Sequence, residues 1–473
     1  INELMFDPIS KDNNDQYIEL YNKGASATDL SGWQLTGGVS YSLPPGTTLA
    51  AGGYLVVARN AAQLISHYPN LNAANCLGNF SGKLSHNGEL VMLSRPETIY
   101  TNTPIMVAED QVTYGAGGRW GQWADGGGSS LELKNPRANH RLAANWKDSD
   151  ETRKSAWTNI EFTGTLDNGF KFDPTIDYAQ IGILDTGECL VDNVEVDDTN
   201  GVNYVSNPTF ESGTNGWTFQ GDHVRSSLEN SGYQSSQSLH VRASDHYFNG
   251  DDSCQVALNA NSFAAGQTAT LRFKARWLHG WPEVILRLNG GWLEATGSLS
   301  VPTDLGTPGQ PNSQAIASAG PAIHEVTHTP ALPAASQPVV VTAQVNDPDG
   351  VKNLTLNYRL DPATTYTTVT MSDRGTDGDA VAGDGVFSAV IPGQAANQLV
   401  AFYISATNNF GVATRFPVLL NDNTPARECL VLFGDGNPGG SFGVYHLWLT
   451  QANVTRWANL GNLSNEGIDG TMV

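Results

Sequence analysis

The chain is poor in the residues that mark a disulfide scaffold, a membrane span or a nucleic-acid partner. Its four cysteines, at positions 76, 189, 254 and 429 of 473 residues, form no C-x-x-C pair and no dense framework, so the common zinc-ligand spacing is missing and the redox compartment stays open. No run of 18 apolar residues exists to carry a helix across a bilayer. Cations are scarce: 25 Lys and Arg against 47 Asp and Glu give a formal charge of -22, which repels nucleic acid and anionic lipid over most of the surface. Glycine shows no collagen-like period, and no charged leader precedes the first strand. Because the sequence opens inside a strand at Ile1 and stops just after GIDG, both ends read as cut, and a processed product or fragment is expected.

What is abundant is turn chemistry. Fifty Gly and 23 Pro beside an apolar fraction of 40% fit turn-rich β structure with packed cores rather than disorder. The length exceeds what one core organises, so three or four domains are expected. Short alternating segments recur throughout: Tyr17 to Tyr21 (YIELY), which alternates as a half-buried strand should, Tyr54 to Ala58 (YLVVA) and Leu90 to Leu93 early on; Ala179 to Leu184, Leu190 to Val196 and Val202 to Val205 around the turn DDTNG; then Ser238 to Arg242, Thr268 to Ala275 and Val284 to Leu288. Helix is incidental in the first block, with one short candidate from Ala61 to Tyr68. The fold class is therefore all-β: tandem β-sandwich domains, closed by a truncated C-terminal α/β segment.

In residues 1–159, the blocks INELMFDP, DQYIELYNKG, DLSGWQLTGG, PPGTTLAAGGYLVVARN and LSHNGELVMLS succeed one another in order and spacing that resemble a lamin-tail domain of the bacterial extracellular kind. The resemblance implies an immunoglobulin-like sandwich serving as spacer or interaction module, without catalytic residues of its own. Residues 160–318 resemble the jelly-roll modules of carbohydrate-binding type, most clearly in NPTFESGTNGWTFQG and then SSQSLHV. There the strand bearing a V-D-N-V-like pattern ordinarily closes the module, whereas here it stands first. Either the strands at 179–197 complete the sandwich after them in permuted order, or they end a degenerate module of their own. The resemblance also implies two calcium ligands, which fall on Asp192 and Glu211.

Two further sites are suggested by residue chemistry. WLHGWPEVILRLNGGWLE carries Trp277, Trp281 and Trp292 beside His279-Gly280 and Asn289-Gly290-Gly291, which interrupt the strands and would hold Trp281 or Trp292 at a rim. An exposed indole stacks on the apolar face of a pyranose, and Glu283, Arg287 and Asn289 would supply hydrogen bonds to its hydroxyls. Burial of the indoles in a core is the competing expectation. Arg272, Arg276 and Arg287 alternate along strands and read as one polar face with carboxylate partners.

After the linker-like LGTPGQPNS, residues 319–422 carry about seven short strands and resemble the immunoglobulin-like or fibronectin-like repeats of secreted proteins. Their one chemical stretch is DRGTDGDAVAGDGVF, in which Asp373, Asp377, Asp379 and Asp384 could wrap a cation with help from the intervening glycines. No comparable carboxylate cluster shows in the first block. Residues 423–473 resemble the opening of a CotH-like spore-coat kinase domain, with a strand at Leu430 to Phe433, YHLWL, and a helix from Gln451 to Leu460 whose Val454, Trp457, Ala458 and Leu460 would cover one face.

No nucleophile, base and orienting group stand together, so no enzyme is expected within these residues. The expected function is a non-catalytic structural, adhesive or scaffolding region of a large secreted or cell-surface protein, stiffened by calcium. The alternative is a glycan-binding module that targets a C-terminal kinase-like domain lying outside this chain. Expected partners are a polysaccharide or a cell-surface protein, with no nucleic acid and no membrane span.

Overall fold

The computed structural model describes residues 1–97, 105–166, 176–247, 250, 252–259, 263–376, 378–420, 424–436, 443–461 and 464–473. Strands dominate and pair into three successive sandwiches, with a small mixed segment at the C-terminal end.

The first sandwich packs a sheet ordered Trp146–Asp148, Leu131–Leu133, Glu3–Met5, Tyr17–Tyr21, Tyr54–Ala58, Cys76–Gly78 against one ordered Ile105–Gly115, Gly88–Glu97, Gln34–Gly37, Val39–Ser42, Ser81–Gly82. Leu4, Ile18, Leu20, Leu35, Val57, Val91 and Val112 fill the space between them. A helix at Ala61–His67 begins where Asn60 accepts a hydrogen bond from the Gln63 amide.

The YIELY strand is not half-buried: Tyr17, Ile18, Glu19 and Leu20 are all buried. Its second face is covered by the stretch the sequence presents as a linker. Glu3 is the Cα partner of both Glu19 and Glu132 on neighbouring strands, so three glutamates line up across the sheet, each fully buried. Residues 305–314 satisfy them. The amides of Thr307, Gly309 and Gln314 donate to Glu3, Glu19 and Glu132 at 2.7, 2.6 and 2.8 Å, and the Ser313 hydroxyl donates to Glu132 at 2.9 Å. Asn312 locks the register by donating to the Asn2 and Leu133 carbonyls at 3.0 and 2.9 Å. Burial, and then the Glu132 charge beside it, pushes Glu3 up to about 7. LGTPGQPNS is thus a strap folded onto the first sandwich. Composition disguises this, because glycine and proline serve a backbone that donates to carboxylates as well as they serve a free coil.

Between the outgoing and returning segments lies the second sandwich. One sheet runs Thr158–Thr165, Thr268–Gly280, Gly187–Asp197, Ser238–Ala243, Ser227–Glu229, and the other Trp217–Phe219, Cys254–Ala257, Tyr178–Ile183, Glu283–Leu288, Glu294–Ser298. The early strands Tyr178–Ile183 and Gly187–Asp197 sit in the middle of the two sheets, paired on both sides by later strands, so they belong to this sandwich and do not end a module of their own. The strand expected at Val202 to Val205 is reduced to isolated bridges at Asn203 and Val205. Lys154 donates to the carbonyls of Asp304 and Gly306 at 2.7 and 2.5 Å, and Ser155 to that of Ser300 at 2.7 Å, so the two crossings run side by side. Met5, Tyr17, Leu64 and Tyr68 of the first sandwich belong to one apolar cluster with the core of the second.

The third sandwich sets Ala322–Thr329, Val339–Asn346, Val386–Ile391 against Thr367–Thr370, Val351–Leu360, Leu399–Asn408, Ala413–Phe416. The strand Cys429–Leu432, which the sequence places with the last block, pairs with the first half of Leu399–Asn408, while Ala413–Phe416 pairs with the second half. Val431 and Phe433 accordingly lie in this core. A half-buried Arg359 bridges Asp361 and Glu428 at 2.8 and 2.5 Å and ties the strand's start to the sheet. In the final segment, the helix Gln451–Asn459 turns Val454 and Trp457 outward, at 41% and 61% exposure, and holds on through Asn453, which donates to the Asp469 carbonyl at 2.8 Å. The helical face that Val454 and Trp457 share is therefore open to solvent.

Candidate functional site

The strand Thr268–Gly280 alternates buried and half-buried positions as far as Arg276, and from Trp277 onward every residue is buried because the first sandwich closes over its outer face. The chain then turns at Gly280, whose φ is +69° and whose amide donates to the Gly127 carbonyl at 2.8 Å. A Cβ at this position would lie 2.5 Å from the Thr186 carbonyl oxygen, so only glycine makes the turn. The next residue is thrown outward. Trp281 fixes its backbone by donating to Thr186 at 2.9 Å and leaves its side chain 45% exposed.

The predicted sugar-binding residues separate. Trp277 is fully buried, donates its indole N–H to the Gly280 carbonyl at 2.9 Å and lies so close to Gly128 that a Cβ there would stand 2.7 Å from the ring. It anchors one sandwich to the other. Trp292, at 8% exposure, packs in the second core and not at a rim. The Asn289 side chain is occupied by the amides of Asp177 and Tyr178, both at 2.9 Å, and Arg287 donates to Gln180 at 3.1 Å beneath the ring of Tyr247. The interruption at 289–291 turns inward because its polar atoms close a neighbouring loop. Arg272 does have carboxylate partners, Glu161 at 2.8 Å and Glu195 at 2.6 Å.

Trp281 and Glu283 remain together, in a cleft of about 740 Å³ between the first and second sandwiches. Its apolar walls are Ile9, Leu64, Tyr68 and Trp123 on one side and Trp281, Pro282, Val301 and Leu305 on the other. Trp123 is held by stacking on His279, with ring centroids 5.4 Å apart and planes within 9°. Burial holds His279 down to about 4, so it carries no charge at neutral pH. Four carboxylates stand around the cleft, Asp15, Asp125, Asp185 and Glu283, and its basic residues are Lys11 and His67. Lys11 is paired with Asp7 at 3.1 Å and His67 with Asp15 at 3.4 Å. Sequence reading finds half of this site. Tyr68, Trp123 and Asp125 come from the first sandwich, and the only local sign of them is Trp123 standing just before the run ADGGG.

Of the acidic loop in the third sandwich, carboxylate oxygens of Asp373, Asp379 and Asp384 lie within 4.8 Å of one another, while Asp377 falls outside the described residues. The loop is wound by its own amides. Val381 donates to Asp379 at 3.1 Å, Gly385 to Asp373 at 2.9 Å, and Val386 to Asp384 at 2.9 Å. Hard oxygens gathered at this spacing are the donor type that a divalent cation takes.

Asp192 and Glu211 grip one loop. Asp192 is buried and accepts from the Tyr233 amide and the Ser235 hydroxyl at 2.7 and 2.6 Å, and the exposed Glu211 accepts from the amides of Ser236 and Gln237 at 3.0 and 2.8 Å. Burial raises the Asp192 pKa and the nearby Glu211 adds to it. All four cysteines are free thiols. Cys189 and Cys254 are fully buried on facing sheets, and burial pushes Cys254 up to about 12.

No curated protein matches the chain. Among solved structures, a DUF4785 family protein from Legionella pneumophila aligns over 60% of this chain and 67% of its own at 6% identity, but a TM-score of 0.16 gives that alignment no weight. The family model of the Lamin Tail Domain matches residues 1–152, the sandwich that carries the glutamate ladder and one wall of the cleft.

Proposed function

We propose that this chain is a non-catalytic, extracellular adhesive array whose first two sandwiches together bind a glycan in the cleft between them. The observation that carries this reading is Trp281: a glycine-forced turn holds it 45% exposed at the lip of a cavity of about 740 Å³ whose opposite wall includes Trp123 and Tyr68. That volume falls inside the range of about 300 to 1,000 Å³ usual for ligand sites, and rigid aromatic faces with a few polar groups suit a sugar ring. Calcium held by Asp373, Asp379 and Asp384 in the third sandwich, with a second ion at Asp192 and Glu211, would stiffen the array. The last block, which resembles the opening of a CotH-like domain, would be what the array presents.

Retention of the whole chain on a panel of immobilised polysaccharides tests the reading. Trp281→Ala is expected to lose retention at an unchanged thermal transition. Equal retention of the wild type and the variant, or no retention of either, would remove the cleft from the account.

A further inference from the structure

We infer that the cleft selects a cationic glycan, a polymer of unacetylated amino sugar, over neutral and anionic ones. The inference rests on the glycan-binding reading above and adds the ligand's charge. Asp125 and Glu283 face the same cavity as Trp281, one from each sandwich, and neither forms an ion pair with a side chain among the described residues. Of the cleft's own cations, Lys11 pairs with Asp7 at 3.1 Å and acts on Asp125 from beyond ion-pair distance, and His67 pairs with Asp15 at 3.4 Å. Asp185, the fourth carboxylate, accepts from the Thr186 amide at 2.7 Å and has His246 at 3.7 Å. Partial burial and then the neighbouring Asp7 raise the Asp125 pKa, against the opposing pull of Lys11 and His86, neither of which pairs with it directly.

An amino-sugar ring has the two features this surface complements. Its axial hydrogens give an apolar face for the Trp281 indole, and its ring ammonium gives the charge that Asp125 and Glu283 lack. An ammonium beside an indole gains further from the ring's negative face. A uronic-acid polymer meets the opposite conditions, with four carboxylates around the cleft and a formal charge of -22 on the chain. A neutral glucan would find the stacking surface alone.

The test is calorimetric titration of the full chain with oligomers of glucosamine, N-acetylglucosamine and glucose of equal length. It is run below the pKa of the sugar amine, at low and at moderate salt. The glucosamine oligomer is expected to bind about tenfold tighter than the other two and to weaken as salt rises. In the double variant Asp125→Asn with Glu283→Gln, that preference and its salt dependence are expected to vanish. Both residues are exposed, so the thermal transition should not move. Equal, salt-independent binding of all three oligomers overturns the charge selection and leaves the glycan-binding reading standing. Binding of none overturns both. A preference for glucosamine that survives in the double variant assigns the attraction to the chain's general negative charge and overturns the cleft as its source.

Discussion

The second and third sandwiches are attached to the first in different ways. The second is joined by two adjacent chain crossings, a shared apolar cluster, the Trp277 anchor and a strap whose amides are spent on buried glutamates. The third touches the first through polar contacts: Arg137 with Asp349 at 2.6 Å, and Arg119 donating to the Ile323 carbonyl at 2.6 Å while lying over Phe416. A continuous apolar junction with satisfied buried acids makes two sandwiches behave as one body, whereas a few polar contacts leave their partners more independent. A ligand cleft whose walls come from two sandwiches requires the first kind of junction.

The largest effect expected is at the anchor. Trp277→Ala should cost about 3 to 5 kcal/mol, because it opens a cavity between packed sheets, and should destabilise both sandwiches in one transition. Denaturant unfolding monitored separately in each would refute the single-body account if only the second were weakened. Trp281→Ala, on the other side of the Gly280 turn, should stay within about 0.5 kcal/mol, since its ring is not part of either core.

Next in size is calcium. Metal held only by the folded state adds about 2.7 kcal/mol at a concentration roughly a hundredfold above its Kd. Scanning calorimetry with calcium and with chelator should therefore move the transition of the third sandwich. A response at Asp192 and Glu211 would appear in the joint transition of the first two. If no transition moves, neither carboxylate group holds the ion.

A smaller effect comes from pH. Because Glu3 is raised from its ordinary 4.5 to about 7, its contribution is fully present below pH 4.5 and is lost as pH rises through about 7. His223 and His279, both held down to about 4 by burial, slope the opposite way, losing stability as pH falls below their ordinary 6.5. The difference between wild type and Glu3→Gln isolates the glutamate. With the intrinsic rise of amide exchange with pH divided out, protection at 305–314 should fall between pH 5 and pH 8 in the wild type and change less in the variant. Smallest of all, Arg137→Ala should leave every unfolding midpoint in place, because Arg137 is half exposed and Asp349 keeps its hydrogen bond from the Ser318 hydroxyl at 2.7 Å; a clear shift would show the third sandwich to be more tightly coupled than its contacts imply.

The sandwich to which the two early strands at 179–197 belong is visible only in their pairing with later strands, whereas the sandwiches themselves are legible in the sequence because burial alternates along single strands, a local property. The acidic loop is legible for the same reason, since its aspartates lie close in the chain. The glutamate ladder is not, because Glu3, Glu19 and Glu132 become neighbours only through pairing across three strands. Nor can composition distinguish Trp277 from Trp281. Both sit in WLHGW, and what separates them is Gly280 between them, together with a facing sandwich that the sequence does not place.

The strap has a mechanical consequence. Asn2 and Glu3, at the start of the chain, are hydrogen-bonded directly to Asn312 and Thr307, which lead into the third sandwich. Tension applied between residue 1 and the third sandwich would therefore load this short seam in shear, and the three hundred or so residues looped between its two sides would bear little of it while it held. The cleft lies inside the shielded loop. Pulled at its ends, the molecule should keep its ligand site folded until the seam between the first strand and the strap gives way.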